Sequence, residues 1–329
     1  MHDLRKLQLH QWLSDVFQTK DFALSSLNGD AGFRRYFRMV IEEQSYIIVD
    51  SPNDKCNNES FVDVQKRLAQ SKVRVPEILH YQQAQGFFCL SDLGDTCLGD
   101  LLTKESVKQW YKKAMAIIPS IATSDFKGLP LYDAAFIQME LDIFSDWLLG
   151  THWGVTLSKV EQEQLQLCFD QLIESALAQP YCFMHRDFHS RNIMLEDNQL
   201  TVIDFQDAVQ GPITYDLVSL LRDCYQKWPD SLVRELLKEF VEQYKTAMPD
   251  YDHSLDTWQR WFDLMGLQRH IKACGIFARL HHRDGKSGYL KDIPLTLSYI
   301  VDISARYPEL TFLHEFSQSL MVQYVENNK

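Results

Sequence analysis

The polar residues with the most informative spacing lie in a short stretch just past the middle of the chain. Asp187 is followed five residues later by Asn192, and Asp204 comes twelve residues after Asn192. A carboxylate beside an acceptor hydroxyl can accept its proton, and amide and carboxylate oxygens are hard ligands that suit Mg²⁺. Such groups are what phosphoryl transfer asks of a protein, namely a positioned acceptor and neutralised phosphate charge.

The local pattern supports reading these residues together. The step from Asp187 to Asn192 has the spacing of a kinase catalytic loop. Residues 192–196 and 200–205 are predicted to form two short β segments, which would place Asp204 at a strand end after a hairpin. A lone Asp in a loop is usually a turn residue, so the prediction depends on the combination.

The elements around this stretch predict an α+β fold with two parts. The first part has helices at 4–17 and 59–70 and strands at 33–40, 46–49, 77–81 and 87–91, with a turn at 42–44. The second has amphipathic helices at 104–122, 134–149, 158–179, 215–226, 232–248 and 255–280, and in the C-terminal region. We therefore predict a small β-rich N-lobe over 1–92 and a larger helical C-lobe over 93–329, with ligands bound where they meet.

Composition excludes several classes of protein. A net charge of −12 argues against general nucleic-acid binding, which needs concentrated Lys and Arg. No apolar run is long enough to cross a bilayer, and the first twenty residues lack the apolar core of a signal peptide. The seven cysteines form no CxxC pattern. We expect a cytoplasmic protein that does not bind nucleic acid or membranes.

Two segments carry a resemblance to a known group of enzymes. Residues 183–193, which read FMHRDFHSRNI, and residues 202–207, which read VIDFQD, resemble the aminoglycoside phosphotransferase and choline kinase superfamily. The Phe-His pair after Asp187 is typical of that group, whereas protein kinases usually have Leu-Lys there. The resemblance implies a protein-kinase-like two-lobed fold that uses ATP and Mg²⁺. It also implies that Asp187 is the catalytic base and that Asn192 and Asp204 are magnesium ligands.

The same resemblance predicts the nucleotide site. The segment 28–38 lies where a phosphate-covering loop belongs, and Gly29 would let the backbone approach the phosphates; a plain turn is the alternative. The segment 90–95 looks like the interlobe connection whose backbone holds adenine, through Ser91, Asp92 and Leu93.

One expected residue is missing from the N-lobe. Protein kinases have a Lys on the third strand that contacts the α and β phosphates, but the matching strand here reads YIIVD over 46–50. Arg34 or Arg35 is predicted to supply that charge, because a guanidinium can hold phosphate with two donors. Both would otherwise be solvated strand residues.

Three further segments are similar to one branch of the superfamily. Residues 140–147, 275–280 and 283–286 look like the bacterial anomeric kinases for N-acetylmuramate and N-acetylglucosamine, which serve cell-wall recycling. This resemblance implies transfer of the ATP γ-phosphate to the C1 hydroxyl of a small amino sugar, and it does not imply an obligate protein partner. The alternatives are a kinase for another small alcohol, such as an aminoglycoside or a choline-like amine, and a pseudokinase that only binds nucleotide.

The residues that contact the acceptor stay open at this level. A lactyl carboxylate would favour a basic contact, and the C-lobe candidates are Arg222, Arg269, Arg279 and Arg283. An aminoglycoside would favour carboxylates, and Glu140, Asp142 and Asp146 are candidates that would equally bind sugar hydroxyls. His185 is expected to brace the loop and Asp216 to be structural, whereas His189 would either face the substrate or pack.

Overall fold

The computed structural model describes residues 3–27, 32–247 and 253–327. These residues form two compact units. The first comprises the residues up to Asp100 together with Arg191–Asp207, and the second comprises Leu101–Ser190 and the residues from Ala208 onward. The lobe boundary at residue 92 stays a prediction.

Nine strands and twelve α-helices lie within the described ranges. The strands are β1 (Ala23–Leu27), β2 (Arg35–Ile41), β3 (Gln44–Asp50), β4 (Ile78–Gln82), β5 (Phe87–Ser91), β6 (Tyr181–Met184), β7 (Ile193–Glu196), β8 (Gln199–Val202) and β9 (Val209–Pro212). The helices are α1 (Leu4–Phe17), α2 (Asn58–Gln70), α3 (Leu98–Leu101), α4 (Val107–Met115), α5 (Ile118–Ala122), α6 (Ala134–Ile143), α7 (Lys159–Leu177), α8 (Tyr215–Leu221), α9 (Asp230–Ala247), α10 (Leu255–Asp284), α11 (Ile293–Ser304) and α12 (Thr311–Asn327).

The first unit is built on an antiparallel sheet with the strand order β1-β2-β3-β5-β4. Its strands are rich in β-branched and aromatic residues, which favour the extended conformation. Ile41 pairs with Gln44, so β2 and β3 are joined by a two-residue turn, in which Glu42 has a φ of 56°. A positive φ suits the tight turns whose twist matches that of the strands.

Two helices and a hairpin complete the first unit. Helix α1 begins after Asp3, whose side chain accepts a hydrogen bond from the backbone of Lys6. Leu9 and Leu13 lie one turn apart on α1 and are fully buried in the same core cluster as β2, β3 and β5 residues. The β7–β8 hairpin is tied to this unit because the N–H of Val202 donates to the carbonyl of Arg74 over 2.8 Å.

The second unit is organised around α10, a helix of 30 residues. It packs against α6, α7, α8 and α11, and most of its side chains are buried. At Gly275 an added Cβ would lie 2.5 Å from the carbonyl carbon of Ile143, so only glycine permits this close approach to α6. Helix α6 continues directly as a π-helix over Phe144–His152.

Most predicted elements are confirmed, and the differences have local causes. The predicted helix 104–122 is two helices, because Pro119 lacks the N–H that a continuous helix requires. The predicted helix 134–149 changes to π geometry after Ile143. Helix α8 stops at Leu221 rather than residue 226, and α10 runs on to Asp284, where Gly285 ends it in a left-handed conformation.

Three short strands were not predicted, namely β1, β6 and β9. The predicted end of α9 at Met248 lies outside the described residues. Within the described ranges, no helix combines the length and apolar character needed to span a bilayer.

Candidate active site

The loop that carries Asp187 follows β6 and is braced by α8. Within the second unit, the carboxylate of Asp216 accepts hydrogen bonds from the backbone N–H of His185 at 2.8 Å and of Arg186 at 3.0 Å. The N–H of Ser190 donates to Asp223 at 3.1 Å. The structural role predicted for Asp216 is thereby confirmed, because it fixes the backbone on the N-terminal side of the predicted base.

Asp216 is held in a buried environment. Burial raises its pKa to about 7, although the two N–H donors favour the ionised carboxylate. The two backbone N–H groups therefore favour the ionised form of Asp216, and Asp216 in turn holds the backbone of His185 and Arg186 in place.

Two residues near the predicted chemistry have an unusual backbone conformation. Arg186, just before the predicted base, has a φ of 78°, and Asp204, a predicted metal ligand, has a φ of 63°. The other non-glycine residues with positive φ in the described ranges lie at helix ends or in hairpin turns: Gln18, Glu42, Lys72, Asp197 and Asn198. Left-handed conformations of this kind are costly and cluster at functional sites.

Asp187 is half-buried in the second unit, among basic side chains. Burial acts to raise its pKa, but the charges of Lys272, His189, Arg186 and Arg269 outweigh burial and lower the pKa to about 2. Asp187 is therefore ionised at any physiological pH.

A buried network lies behind this loop, centred on Glu140 of α6. Its side chain is 2% exposed. One carboxylate oxygen accepts from Arg186 at 2.7 Å and from Lys272 at 3.2 Å. The other accepts from Tyr132 at 2.6 Å and from Gln268 at 3.0 Å. Glu140 is thus the shared counter-ion of Arg186 and Lys272, and its candidacy as an acceptor contact stays a prediction.

Lys272 was missed by sequence reasoning. It is buried on α10, where its ammonium group donates to Glu140 and, over 2.7 Å, to the hydroxyl of Tyr215. The only signal in the sequence is a charged residue on a helix whose neighbours Ile271 and Ala273 are apolar. That pattern indicates a buried charge but does not identify its partner.

We expect Glu140→Gln to destabilise the folded protein by about 3–5 kcal/mol, because Arg186 and Lys272 would lose their shared counter-ion. Urea unfolding of the purified variant measures this change. The matched control is Glu163→Gln, on the exposed face of α7, with an expected change within about 0.5 kcal/mol. A Glu140→Gln protein that is as stable as the wild type would show that the network is not a stabilising feature.

The two predicted metal ligands lie side by side in the first unit. The amide nitrogen of Asn192 is 3.4 Å from a carboxylate oxygen of Asp204, whose other oxygen accepts from Gln206 at 2.8 Å. Rotating the side-chain amide of Asn192 by 180° would place its oxygen beside the Asp204 carboxylate. The two side chains together would then offer two hard oxygen ligands. Asn192 is buried and Asp204 is exposed.

This donor set fits Mg²⁺. In the described ranges, no three His, Cys, Asp or Glu side chains form a complete metal cage. Mg²⁺ in nucleotide sites keeps waters and phosphate oxygens and needs only one or two protein ligands. The roles of Asn192 and Asp204 stay predictions.

The two arginines predicted to replace the missing Lys differ in their carboxylate partners. Nε of Arg35 donates to Asp50 at 2.9 Å, and its guanidinium also pairs with Asp3. Asp50 is fully buried and is shared with Arg5. Arg35 is therefore held by the carboxylates of Asp50 and Asp3.

Arg34 has no such partner. Its Nε donates to the hydroxyl of Ser51 at 3.1 Å, and its guanidinium lies 5.8 Å from the ring centre of Phe61. In the described ranges no carboxylate forms a salt bridge with it. Burial raises the pKa of Tyr36 to about 12, with Arg34 and Asp204 both close enough to influence it. Of the two arginines, Arg34 is thus the one without a carboxylate partner in the described ranges, and it lies near Asp204, a predicted metal ligand.

The predicted adenine contacts lie at and after the end of β5. The hydroxyl of Ser91 accepts from the N–H of Glu77 at 3.0 Å, and the carboxylate of Asp92 accepts from Arg38 at 3.0 Å. Leu93 is buried. The side chains of Ser91 and Asp92 thus make structural contacts. Adenine binding by the backbone of this segment stays a prediction. Gly29 lies outside the described residues.

The candidate residues for contacting the acceptor differ in whether they already form a salt bridge. Arg222 is buried against Asp263, and Arg283 pairs with Asp284 at 2.8 Å. Arg269 and Arg279 form no salt bridge within the described ranges. Asp142 and Asp146 are exposed. The ring of His189 lies 5.5 Å from that of Tyr225.

Comparison with known proteins shows similarity to phosphotransferases. Residues 23–254 match the phosphotransferase enzyme family. A Neisseria meningitidis protein named N-acetylmuramate/N-acetylglucosamine kinase is 37% identical, covering 98% of this chain and 96% of its own length. A Pseudomonas aeruginosa protein of the same name is also 37% identical and covers 97% of both chains.

Solved structures share the fold at low identity. A Plasmodium vivax ethanolamine kinase has a TM-score of 0.65 at 12% identity and covers 90% of this chain and 87% of that chain. The GDP complex of an aminoglycoside 2'-phosphotransferase has a TM-score of 0.60 at 14% identity, over 90% and 98% of the two chains. The predicted kinase-like α+β fold, with a small sheet and a larger helical part, is confirmed.

Proposed function

The chain belongs to the phosphotransferase enzyme family, and from that premise we propose that it phosphorylates N-acetylmuramate and N-acetylglucosamine. The reaction transfers the γ-phosphoryl group of ATP to the C1 hydroxyl and yields the sugar 1-phosphate. The observation that carries the choice of acceptor is the identity of 37% along nearly the whole chain with relatives of that name. Transfer to a small alcohol of another kind, or nucleotide binding without turnover, are the alternatives.

Asp187 is the catalytic base in this proposal. Its carboxylate accepts a hydrogen bond from the C1 hydroxyl, orients the oxygen toward the γ-phosphorus and takes up the proton as the new O–P bond forms. The bond from the γ-phosphorus to the ADP oxygen breaks in the same transfer. A hemiacetal hydroxyl is more acidic than an ordinary alcohol, so a weak base such as a carboxylate suffices. The low pKa of Asp187 keeps it ready for this hydrogen bond.

Asn192 and Asp204 are the residues that would hold Mg²⁺, which neutralises charge on the phosphate oxygens when bound. We assign the phosphate-binding cation to Arg34 and adenine recognition to the backbone of Ser91, Asp92 and Leu93. Gly29 is proposed to admit the phosphates close to the backbone. We place the enzyme in the cytoplasm, in the recycling of cell-wall amino sugars.

Arg34→Gln should raise the KM for ATP by about tenfold, because a charged hydrogen bond to phosphate contributes roughly 1.5–3 kcal/mol. Steady-state kinetics with varied ATP measures it. Arg35→Gln is the contrast, since the Arg35 side chain already pairs with Asp50; its KM for ATP should stay within about twofold. An unchanged KM in both variants would remove the arginines from the nucleotide site.

An acceptor panel tests the proposed function. The purified chain is incubated with ATP, Mg²⁺ and N-acetylmuramate, N-acetylglucosamine, choline, ethanolamine or an aminoglycoside, and ADP release is followed. Turnover with the two sugars and background rates with the others support the proposal. Turnover only with an amine or aminoglycoside identifies a different acceptor, and turnover with none favours a nucleotide-binding protein without catalysis.

A further inference from the structure

One face of α10 carries a row of basic side chains. Arg269, Lys272, Arg279 and Arg283 lie on the same side of the helix, because positions 269, 272, 276, 279 and 283 follow at intervals of three or four residues; the apolar Ile276 stands between Lys272 and Arg279. At 1.5 Å per residue, Arg279 lies about 10 Å along the axis from Lys272. Lys272 and Arg269 are the members of the row whose charges act on Asp187.

Arg279 is the basic residue of this row that is both accessible to solvent and without a salt bridge in the described ranges. Lys272 is neutralised by Glu140 and Arg283 by Asp284. Arg279 is half-buried, has no salt bridge in the described ranges, and its Nε is buried without a hydrogen-bond partner there. Arg269 is also without a salt bridge, but only 6% of it is exposed and it lies against the ring of Tyr215. Of the two, Arg279 is the one that a solute can reach.

The local electrostatics show that this cation is not fully compensated. Burial lowers the pKa of Arg279, the nearby Arg283 lowers it further, and Asp284 and Glu140 act in the opposite direction. A guanidinium in such a place is stabilised by an anion that binds to it.

A row of aromatic rings leads from the loop that carries Asp187 to α10. The ring of His189, two residues after the base, lies 5.5 Å from that of Tyr225, and Tyr225 lies 6.3 Å from Phe277. Phe277 stacks on Tyr289 at 5.8 Å. This row of rings reaches α10 at the axial level of Arg279, although Phe277 and Arg279, being two residues apart, lie on different sides of the helix. Helical side chains also lean toward the helix N-terminus, which directs Arg279 back toward the level of Lys272.

We propose that Arg279 binds the lactyl carboxylate of N-acetylmuramate and is the residue that distinguishes this acidic sugar from neutral N-acetylglucosamine. The inference rests on the proposed function. The lactyl group and the C1 hydroxyl are substituents of the same sugar ring, so one end of the acceptor would meet Asp187 while the other meets a cation further along α10. Among the four basic candidates, Arg222 and Arg283 are already paired and Arg269 is enclosed.

The test is a comparison of the two acceptors in Arg279→Gln. We expect kcat/KM for N-acetylmuramate to fall by about 10- to 100-fold, and that for N-acetylglucosamine to change by less than about threefold. The ratio of the two values is independent of the concentration of folded enzyme, so partial misfolding cannot imitate the result. Arg279→Lys should recover part of the lost preference because it keeps the charge.

Arg260→Gln is the matched control, because Arg260 lies on the same helix in a surface pair with Glu309 at 2.7 Å. It should leave the ratio unchanged. Equal losses for both sugars in Arg279→Gln, or no loss for either, would overturn the inference and leave the proposed function standing. If the wild type turns over neither sugar, the proposed function fails and the inference fails with it.

Discussion

Replacing Asp187 with asparagine will lower kcat for sugar phosphorylation by about 10³-fold. The amide has nearly the same shape but accepts the hydrogen bond of the hydroxyl poorly and cannot take its proton. Asp187 is held as a carboxylate by Lys272, His189 and Arg186, which outweigh its burial. Steady-state assays of the purified variant at saturating ATP measure the loss.

The control for this variant is Asp256→Asn, the same chemical change at an exposed position in the first turn of α10. It should keep kcat within about twofold. The KM for ATP of Asp187→Asn should also stay close to the wild-type value, because the proposal gives Asp187 no contact with nucleotide. An Asp187→Asn enzyme with a tenth or more of the wild-type kcat would exclude the carboxylate as the base.

Asp204→Asn should lower kcat/KM by about 10²- to 10³-fold, since a bound divalent ion provides several kcal/mol of stabilisation to the charged transition state. The variant would offer the metal two amide side chains, where the wild type offers the amide of Asn192 and a carboxylate. Loss of that negative charge weakens the affinity for a divalent cation. Titration of Mn²⁺ into the nucleotide complex, followed by electron paramagnetic resonance, measures the affinity directly.

The matched change is Asp63→Asn, an exposed aspartate of the same compact unit that pairs with Arg67 at 2.8 Å. Its Mn²⁺ affinity and its activity should equal those of the wild type. Unaltered Mn²⁺ binding in Asp204→Asn would show that the metal is held elsewhere, whatever happens to the rate.

The sequence predicts well those features that depend on neighbours along the chain. The bounds of α1 and β5 agree with the prediction because periodicity and β-propensity are local properties. The role of Asp216 was also predictable, because the segment that contains it follows the catalytic loop at a characteristic position. The fold followed from the same short motifs.

Features that depend on distant contacts were not predictable. Glu140 and Lys272 are 132 residues apart, and nothing in either segment identifies the other as its partner. Arg35 was predicted to be a phosphate-binding candidate, and only the pairing of β2 with β3 shows that it lies beside Asp50. A propensity pattern likewise does not reveal that α6 changes to π geometry after Ile143.

Formation of a sugar 1-phosphate is tested most directly by ³¹P NMR of the product. Purified enzyme is incubated with ATP, Mg²⁺ and N-acetylmuramate or N-acetylglucosamine, with Asp187→Asn as the inactive control. We expect a new phosphate signal coupled to the anomeric proton, present with the wild type and absent with the variant. A phosphate on another hydroxyl, or no sugar phosphate from either acceptor, would contradict it.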